Sequence, residues 1–78
     1  MFNFGNDKFE NLRNKCFVDD DHLIYIKILA VIEHNGYYEF CIHRFEQFVG
    51  GHDEIVDDLD FLDGFTEITE EEYESGIG

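Results

Sequence analysis

Carboxylates are the residues of this sequence whose number and spacing could do chemistry. The 78 residues include 19 Asp and Glu against five Lys and Arg, for a formal net charge of −14. Twelve of the acids fall in residues 45–78, a stretch that contains neither Lys nor Arg. Carboxylates in such numbers can act as general acids and bases, bind hard cations, or present a negative surface to a basic partner.

Catalysis is the least supported of these uses. General acid–base chemistry needs a carboxyl group whose pKa is raised inside a pocket, and so short a chain is a poor source of a cleft. The sequence has no Gly-rich phosphate loop, no HExxH or CxxC motif, and no Ser/His/acid set in a supporting context. We therefore expect a binding protein, not an enzyme, with no catalytic residue and no cofactor.

The segment from Asp57 to Gly64 superficially resembles a calcium loop. That loop needs acids at positions 1, 3 and 5, Gly at position 6 and Glu at position 12. Counted from Asp58, position 5 is Leu62, position 6 is Asp63 and position 12 is Thr69, so the register fails. A carboxylate-rich binder of divalent metal stays a third hypothesis, which a gain in stability with calcium would reveal.

Histidine and cysteine do not indicate a transition-metal site. The histidines lack ligand spacing on any one element; they are His22, His34, His43 and His52. The two cysteines, Cys16 and Cys41, lie among apolar residues, which favours buried reduced thiols over a disulfide or a metal pair. The start of the chain lacks a basic region followed by an apolar run, and residues 23–32 are too short to span a bilayer, so we expect a cytoplasmic protein with no membrane partner.

An α+β fold in one domain, residues 1–78, is expected to position the acids. It would contain an antiparallel β-hairpin or three-stranded sheet, an N-terminal helix and an acidic C-terminal helix. Residues 6–16 favour the first helix, with Asn6 as its cap. Residues 22–33 are β-branched and apolar on both faces, which predicts a strand buried on two sides. The following Asn-Gly pair predicts a hairpin turn.

The second half of the chain supplies the acidic elements. Residues 52–64 predict a helix, because Ile55, Val56, Leu59 and Leu62 fall on one stripe and the acids on the remainder. Residues 65–68 could be a third short strand. Thr69 and Glu72 have capping-box spacing and predict a final helical turn, and residues 75–78 are expected to fray.

The spacing of acids on the predicted 52–64 helix suggests imitation of a nucleic acid. Duplex DNA carries one charge per about 3.4 Å of axis along each strand. An acid at nearly every third helical residue projects charge every ~4.5 Å. Such a face could occupy a groove lined with Lys and Arg, with fast and salt-dependent binding. Exposed tyrosines would anchor the contact, since Tyr is a frequent hot-spot residue. The predicted partner-binding residues are Asp53, Glu54, Asp57, Asp58, Asp60, Asp63, Glu67, Glu70, Glu71, Glu72, Tyr37, Tyr38 and Tyr73.

In its size, its hairpin-plus-helix outline and its acids between Asp53 and Glu74, the sequence resembles the small acidic phage proteins that disarm bacterial defences. These include DNA mimics that block restriction enzymes or uracil-DNA glycosylase, and anti-CRISPR proteins that occupy the DNA-binding channel of a CRISPR effector. The resemblance is one of type and covers mainly residues 45–78. It implies an inhibitor, acting in the host bacterial cytoplasm, whose partner is a nucleic-acid-binding protein with a basic groove. Direct contact with nucleic acid is disfavoured because like charges repel.

An alternative function uses the hairpin and not the charge. In that case the chain is a small adaptor or regulatory protein that binds through apolar residues such as Tyr37, Phe40 and Phe45, and the acidic face only keeps it soluble. Binding would then survive salt and fail when those residues are truncated. A homodimer formed through the same hairpin is compatible with either hypothesis.

Overall fold

A long antiparallel hairpin forms the centre of the computed structural model, which describes residues 11–77. Strand β2 (Ile24–His34) pairs with strand β3 (Tyr37–Glu46), with one bulge between Ile28 and Ala30. Asn35 and Gly36 join the strands with φ angles of 47° and 90°. A two-residue hairpin turn requires left-handed conformations of this kind, and the predicted hairpin is confirmed.

Three further strands extend the hairpin to a five-stranded antiparallel sheet in the order β4-β3-β2-β1-β5. They are β1 (Cys16–Val18), β4 (Gly50–Val56) and β5 (Thr66–Ile68). The third strand predicted over residues 65–68 is confirmed as β5. Helix α1 (Glu70–Ile77) completes the α+β fold and is the one α-helix in the part of the chain that the structure describes.

Strand β4 stands where the sequence predicted an acidic helix over residues 52–64, so that prediction is wrong. Residues 50–56 pair with Phe40–Glu46 of β3, and the rest of the segment contains only a 3₁₀ turn at Asp60–Leu62. Like charges four positions apart, such as Asp53 and Asp57, disfavour the helix.

Pairing with β3 gives Asp53 and Glu54 partners on that strand, which a helix over the same residues would not provide. Asp53 lies opposite His43, with 2.7 Å between Oδ1 and Nδ1, and the Arg44 Nε donates to Glu54 Oε2 at 2.9 Å. The β-branched Ile55 also suits a strand. Contacts with a distant part of the chain therefore outweigh the helical spacing of the apolar residues.

The N-terminal helix predicted over residues 6–16 is not supported. Residues 6–10 lie outside the described residues, residues 11–14 form a turn, and Cys16 begins β1. Asn14 has a φ of 68°, a left-handed conformation that a right-handed helix does not contain. Its N–H donates to the Ile28 carbonyl at 2.7 Å, and the Ile28 N–H donates to the Lys15 carbonyl at 3.0 Å. The chain joins the edge of β2 and continues as a strand.

The two faces of β2 are covered by different elements. On one face Tyr25 packs with Cys16, Val18 and Tyr73 beneath α1. On the other face a second buried cluster lies beneath the segment between β4 and β5, which contributes Leu59, Phe61, Leu62 and Phe65. That second cluster consists of Ile26, Ile28, Phe40 and Ile42. The predicted burial on both sides is confirmed for residues 25–28, while the strand becomes half-buried and then exposed toward the hairpin turn.

Helix α1 begins with the capping box that the sequence predicted. The Glu72 N–H donates to Thr69 Oγ1 at 3.0 Å, and the Thr69 N–H donates to Glu72 Oε1 at 2.9 Å. The helix continues to Ile77, which packs against the Tyr25 cluster. Residue 78 lies outside the described residues, and the fraying expected from residue 75 stays a prediction. No helix in residues 11–77 combines the length and hydropathy that a bilayer span requires.

Two isoleucines of opposite exposure test this arrangement. Ile26 is fully buried and Ile55 is 60% exposed. We expect Ile26→Ala to lower the free energy of unfolding by about 2–5 kcal/mol, because it removes packed apolar atoms and leaves a cavity. The matched change Ile55→Ala should alter it by less than about 0.5 kcal/mol. Urea unfolding of both variants measures the difference, and equal losses would contradict the fold.

Candidate functional site

A groove of about 980 Å³ opens beside the turn of the β2–β3 hairpin, where β4 ends and β3 continues beyond it. We call it the hairpin groove. The hairpin forms one wall of this groove. Residues 57–60, which follow β4 directly along the chain, form the other wall. The lining residues are His34, Gly36, Tyr37, Tyr38, Glu39, Phe40, Asp57, Asp58, Leu59 and Asp60.

The register of the sheet creates this groove. Val56, the last residue of β4, lies opposite Phe40, so residues 37–39 of β3 extend past the end of β4. The chain then bends, and Asp58 Oδ1 accepts a hydrogen bond from the Asp60 N–H at 3.0 Å. Leu59 anchors the bend by packing against the buried cluster that contains Ile26. The bend therefore holds three carboxylates next to the end of the hairpin.

These three carboxylates carry charge that no described cation neutralises. Asp57, Asp58 and Asp60 are exposed, and none takes part in an ion pair among the described residues. A fourth carboxylate in the groove, Glu39, lies 3.1 Å from Nε2 of His34.

The ion pairs of the sheet and helix lie elsewhere. Lys15 Nζ is 2.9 Å from Glu67 Oε2, and Lys27 Nζ is 3.3 Å from Glu70 Oε2. Arg44 bonds to Glu54 and also lies 3.7 Å from Glu46. These three cations fasten β5, α1 and β4 to the sheet, and none of them forms an ion pair with Asp57, Asp58 or Asp60.

The structure brings five of the predicted partner-binding residues together in the hairpin groove, namely Tyr37, Tyr38, Asp57, Asp58 and Asp60. Tyr37 is 77% exposed, whereas Tyr38 is half-buried. The combination suits a cationic group, because carboxylates accept hydrogen bonds from guanidinium or ammonium groups and tyrosine rings attract cations to their faces.

The other predicted acids lie apart from the groove. Asp53 and Glu54 are on β4 with partners on β3, and Asp63 is exposed between the 3₁₀ turn and β5. Glu67 is on β5, at the opposite edge of the sheet, roughly 19 Å from β4 at four strand spacings. The acids at residues 70–72 begin α1, and two of them line a second cavity of about 530 Å³ beside Tyr25.

Tyr73, which the sequence placed among the exposed anchors, is buried. The helix start at Thr69 directs it inward, where it is 4% exposed and meets the Tyr25 ring edge-on at 6.3 Å. Its hydroxyl has no hydrogen-bond partner among residues 11–77. Burial, followed by the nearby Cys16 and Asp53, raises the pKa of Tyr73 to about 12. Tyr73 therefore belongs to the core and not to a contact surface.

Sequence reasoning missed several exposed apolar side chains. Phe48 and Val49, in the turn between β3 and β4, are 88% and 77% exposed, and Ile55 is 60% exposed on β4. The signal for the first two was their position directly before Gly50 and Gly51, where a turn follows a strand. Ile55 was assigned to the inner stripe of a helix that does not form.

The structure also describes the surroundings of the two thiols and the side chains that could hold a metal ion. Cys16 and Cys41 are both free, the first buried and the second half-buried. Burial raises the pKa of the Cys16 thiol, and nearby Lys27 opposes part of that effect. Within residues 11–77, no group of three His, Cys, Asp or Glu side chains is placed to hold a metal ion.

The Tyr73 hydroxyl supports a test of the packing under α1. An unpartnered buried hydroxyl costs about 1–3 kcal/mol, so Tyr73→Phe should keep or increase stability. Between pH 10 and about 12 the unfolded tyrosine ionises while the folded one does not, so wild-type stability falls across that interval. The fall should be smaller in Tyr73→Phe and unchanged in Tyr37→Phe. Urea unfolding at about pH 9 and about pH 11 measures it, and identical slopes in all three proteins would refute the assignment.

Comparison with protein-family models, with curated proteins and with solved structures finds no match to this chain. The role of the hairpin groove is therefore argued from its geometry and charge. The lining residues on which that role depends are the three exposed carboxylates, the two tyrosines and the neighbouring Glu39.

Proposed function

We propose that this protein is an inhibitor that competes with nucleic acid for the basic groove of a nucleic-acid-binding protein, in the manner of anti-CRISPR or anti-restriction proteins. The observation that supports it is the hairpin groove, where Asp57, Asp58 and Asp60 lie beside Tyr37 and Tyr38. These three carboxylates form no ion pair with another described residue. The partner is a CRISPR effector, a restriction enzyme or a DNA-repair enzyme.

The charge density of this segment is comparable with that of a nucleic acid strand. Three carboxylates within residues 57–60 span at most about 11 Å of chain, while three phosphates of one DNA strand span about 7 Å of axis. A protein that grips phosphates with Arg and Lys offers donors that fit carboxylates equally well. The tyrosines add stacking surface for a guanidinium plane.

The net charge of −14 supports fast association with such a partner. Opposite fields steer the encounter and raise the association rate, and salt weakens this effect. The partner would lose affinity for its own nucleic acid because both ligands need the same basic residues.

Neutralising two groove acids tests the proposal against a control of equal charge change. The test variant is Asp57→Asn/Asp60→Asn, which leaves Asp58 to accept the Asp60 N–H. The control is Glu71→Gln/Glu74→Gln on α1, where neither acid belongs to a described ion pair or to the capping box. Each protein is used for affinity capture from a bacterial lysate at low and at moderate salt.

We expect wild type and the α1 control to retain a nucleic-acid-binding protein that added duplex DNA elutes. The groove variant should retain it at least about tenfold less, as the loss of two charge-assisted contacts implies. Equal retention by both variants would show that the groove is not the binding site. Retention that neither DNA nor salt disturbs would show that binding does not depend on mimicry.

The exposed apolar side chains favour a second candidate function, that of an adaptor. Of its three predicted contact residues, Tyr37 is 77% exposed, whereas Phe40 and Phe45 are buried or packed against the core. Truncating the two phenylalanines would therefore test stability and not binding. The changes Phe48→Ser and Ile55→Ser address exposed residues instead. An adaptor would lose its partner on these changes and keep it at moderate salt and after neutralisation of the groove.

A further inference from the structure

Strand β4 is an edge of the sheet, and no strand in the described residues pairs with its outer side. It is seven residues long, whereas the opposite edge, β5, has three. An exposed edge strand presents unpaired N–H and C=O groups that can bind another extended chain. The length of β4 makes it the edge with room for such a chain.

The hydrogen bonding of β3 determines which amide groups of β4 face outward. The Gln47 N–H donates to the Leu23 carbonyl at 2.9 Å, on the β2 side of the hairpin. Alternate residues of a strand direct their amide groups to opposite sides. The even-numbered residues from Phe40 to Glu46 therefore direct their amide groups toward β4.

The residues of β4 opposite these are also even-numbered, from Gly50 to Val56. They exchange hydrogen bonds with β3 and are directed inward. The alternate residues direct their N–H and C=O groups away from the sheet. These outward-facing residues are Gly51, Asp53 and Ile55.

We infer that the outer edge of β4 binds an extended segment of a protein partner that carries Lys or Arg, and that this segment joins the sheet as a sixth strand. The inference deepens the proposed function and rests on it, since it names the part of the basic partner that is bound. The backbone groups of Gly51, Asp53 and Ile55 supply the affinity that does not depend on charge.

Charge selects this occupant over a second copy of the chain. Asp53 is exposed at the edge, with Glu54 beside it and Asp57 and Asp58 directly beyond the end of the strand. Two copies of the chain, each with a formal net charge of −14, repel one another. A pairing centred on Asp53 would also place two carboxylates directly opposite each other, which destabilises a sheet. A strand with Lys or Arg would instead place opposite charges together.

The side chain of Ile55 adds an apolar contact. It is 60% exposed, and a strand alongside β4 would remove part of that surface from water. A basic residue of the added strand that extends past Val56 would also meet the carboxylates of the hairpin groove, because Asp57 and Asp58 follow β4 directly. Two of the groove carboxylates thus follow the edge strand directly along the chain.

Amide hydrogen exchange of the full chain tests this docking directly. The probe is a capped peptide of about eight residues that alternates Lys and Val, compared with a Glu/Val peptide of equal length. We expect the Lys peptide to slow exchange at the outward-facing residues about tenfold or more. The inward-facing residues, already bonded to β3, should change little, and the Glu peptide should have no effect. Protection that does not alternate along β4, or that both peptides produce, would overturn the inference.

A backbone substitution separates this inference from the proposed function. Methylation of the Ile55 nitrogen, introduced by chemical ligation at Cys41, removes an outward donor without changing any charge. Peptide binding should be lost on methylation and retained in the Ile55→Val control, with circular dichroism showing that both fold. Binding that survives methylation but is lost in Asp57→Asn/Asp60→Asn overturns the edge inference and leaves the charge-based function standing. Loss on methylation combined with normal binding of the groove variant supports the edge and overturns the groove as the binding site.

Discussion

Strand β2 is buried on both faces, and the remaining elements are arranged to cover it. Tyr25 lies beneath α1, while Ile26 and Ile28 lie beneath the segment that connects β4 to β5. The end of the hairpin and the outer side of β4 extend beyond both covers as residues 11–77 form them. The surfaces that we assign to binding lie there.

Three of the five cations of the chain follow the same arrangement. Lys15 and Lys27 pair with acids of β5 and α1, and Arg44 pairs with an acid of β4. Each pair joins an acidic element to the sheet and reduces repulsion where the chain must pack. Asp57, Asp58 and Asp60 of the hairpin groove form no ion pair among residues 11–77, and they lie beside the tyrosines. Stability and binding thus use different acids of the same sequence.

The sequence predicted the elements whose structure depends on residues close together in the chain. It did not predict the structure of the acidic segment, residues 52–64. The hairpin turn depends on Asn35 and Gly36, and the start of α1 depends on Thr69 and Glu72, all within a few positions. Residues 52–64 have apolar residues at helical spacing, yet residues 50–56 form a strand. The deciding contacts, with β3, come from residues that the local pattern does not contain. For the same reason the sequence could indicate which residues bind a partner, but not that five of them line one groove.

The sequence alone determined the charge excess, the hairpin and the capped helix, because composition and short-range backbone chemistry suffice for these. Only the tertiary structure decided which acids are neutralised, since the pairs join distant residues, such as Lys15 and Glu67, which are 52 positions apart. It also decided that Tyr73 is core while Tyr37 is surface. Both outcomes depend on which faces meet when the sheet is covered, and that is a property of the packed chain.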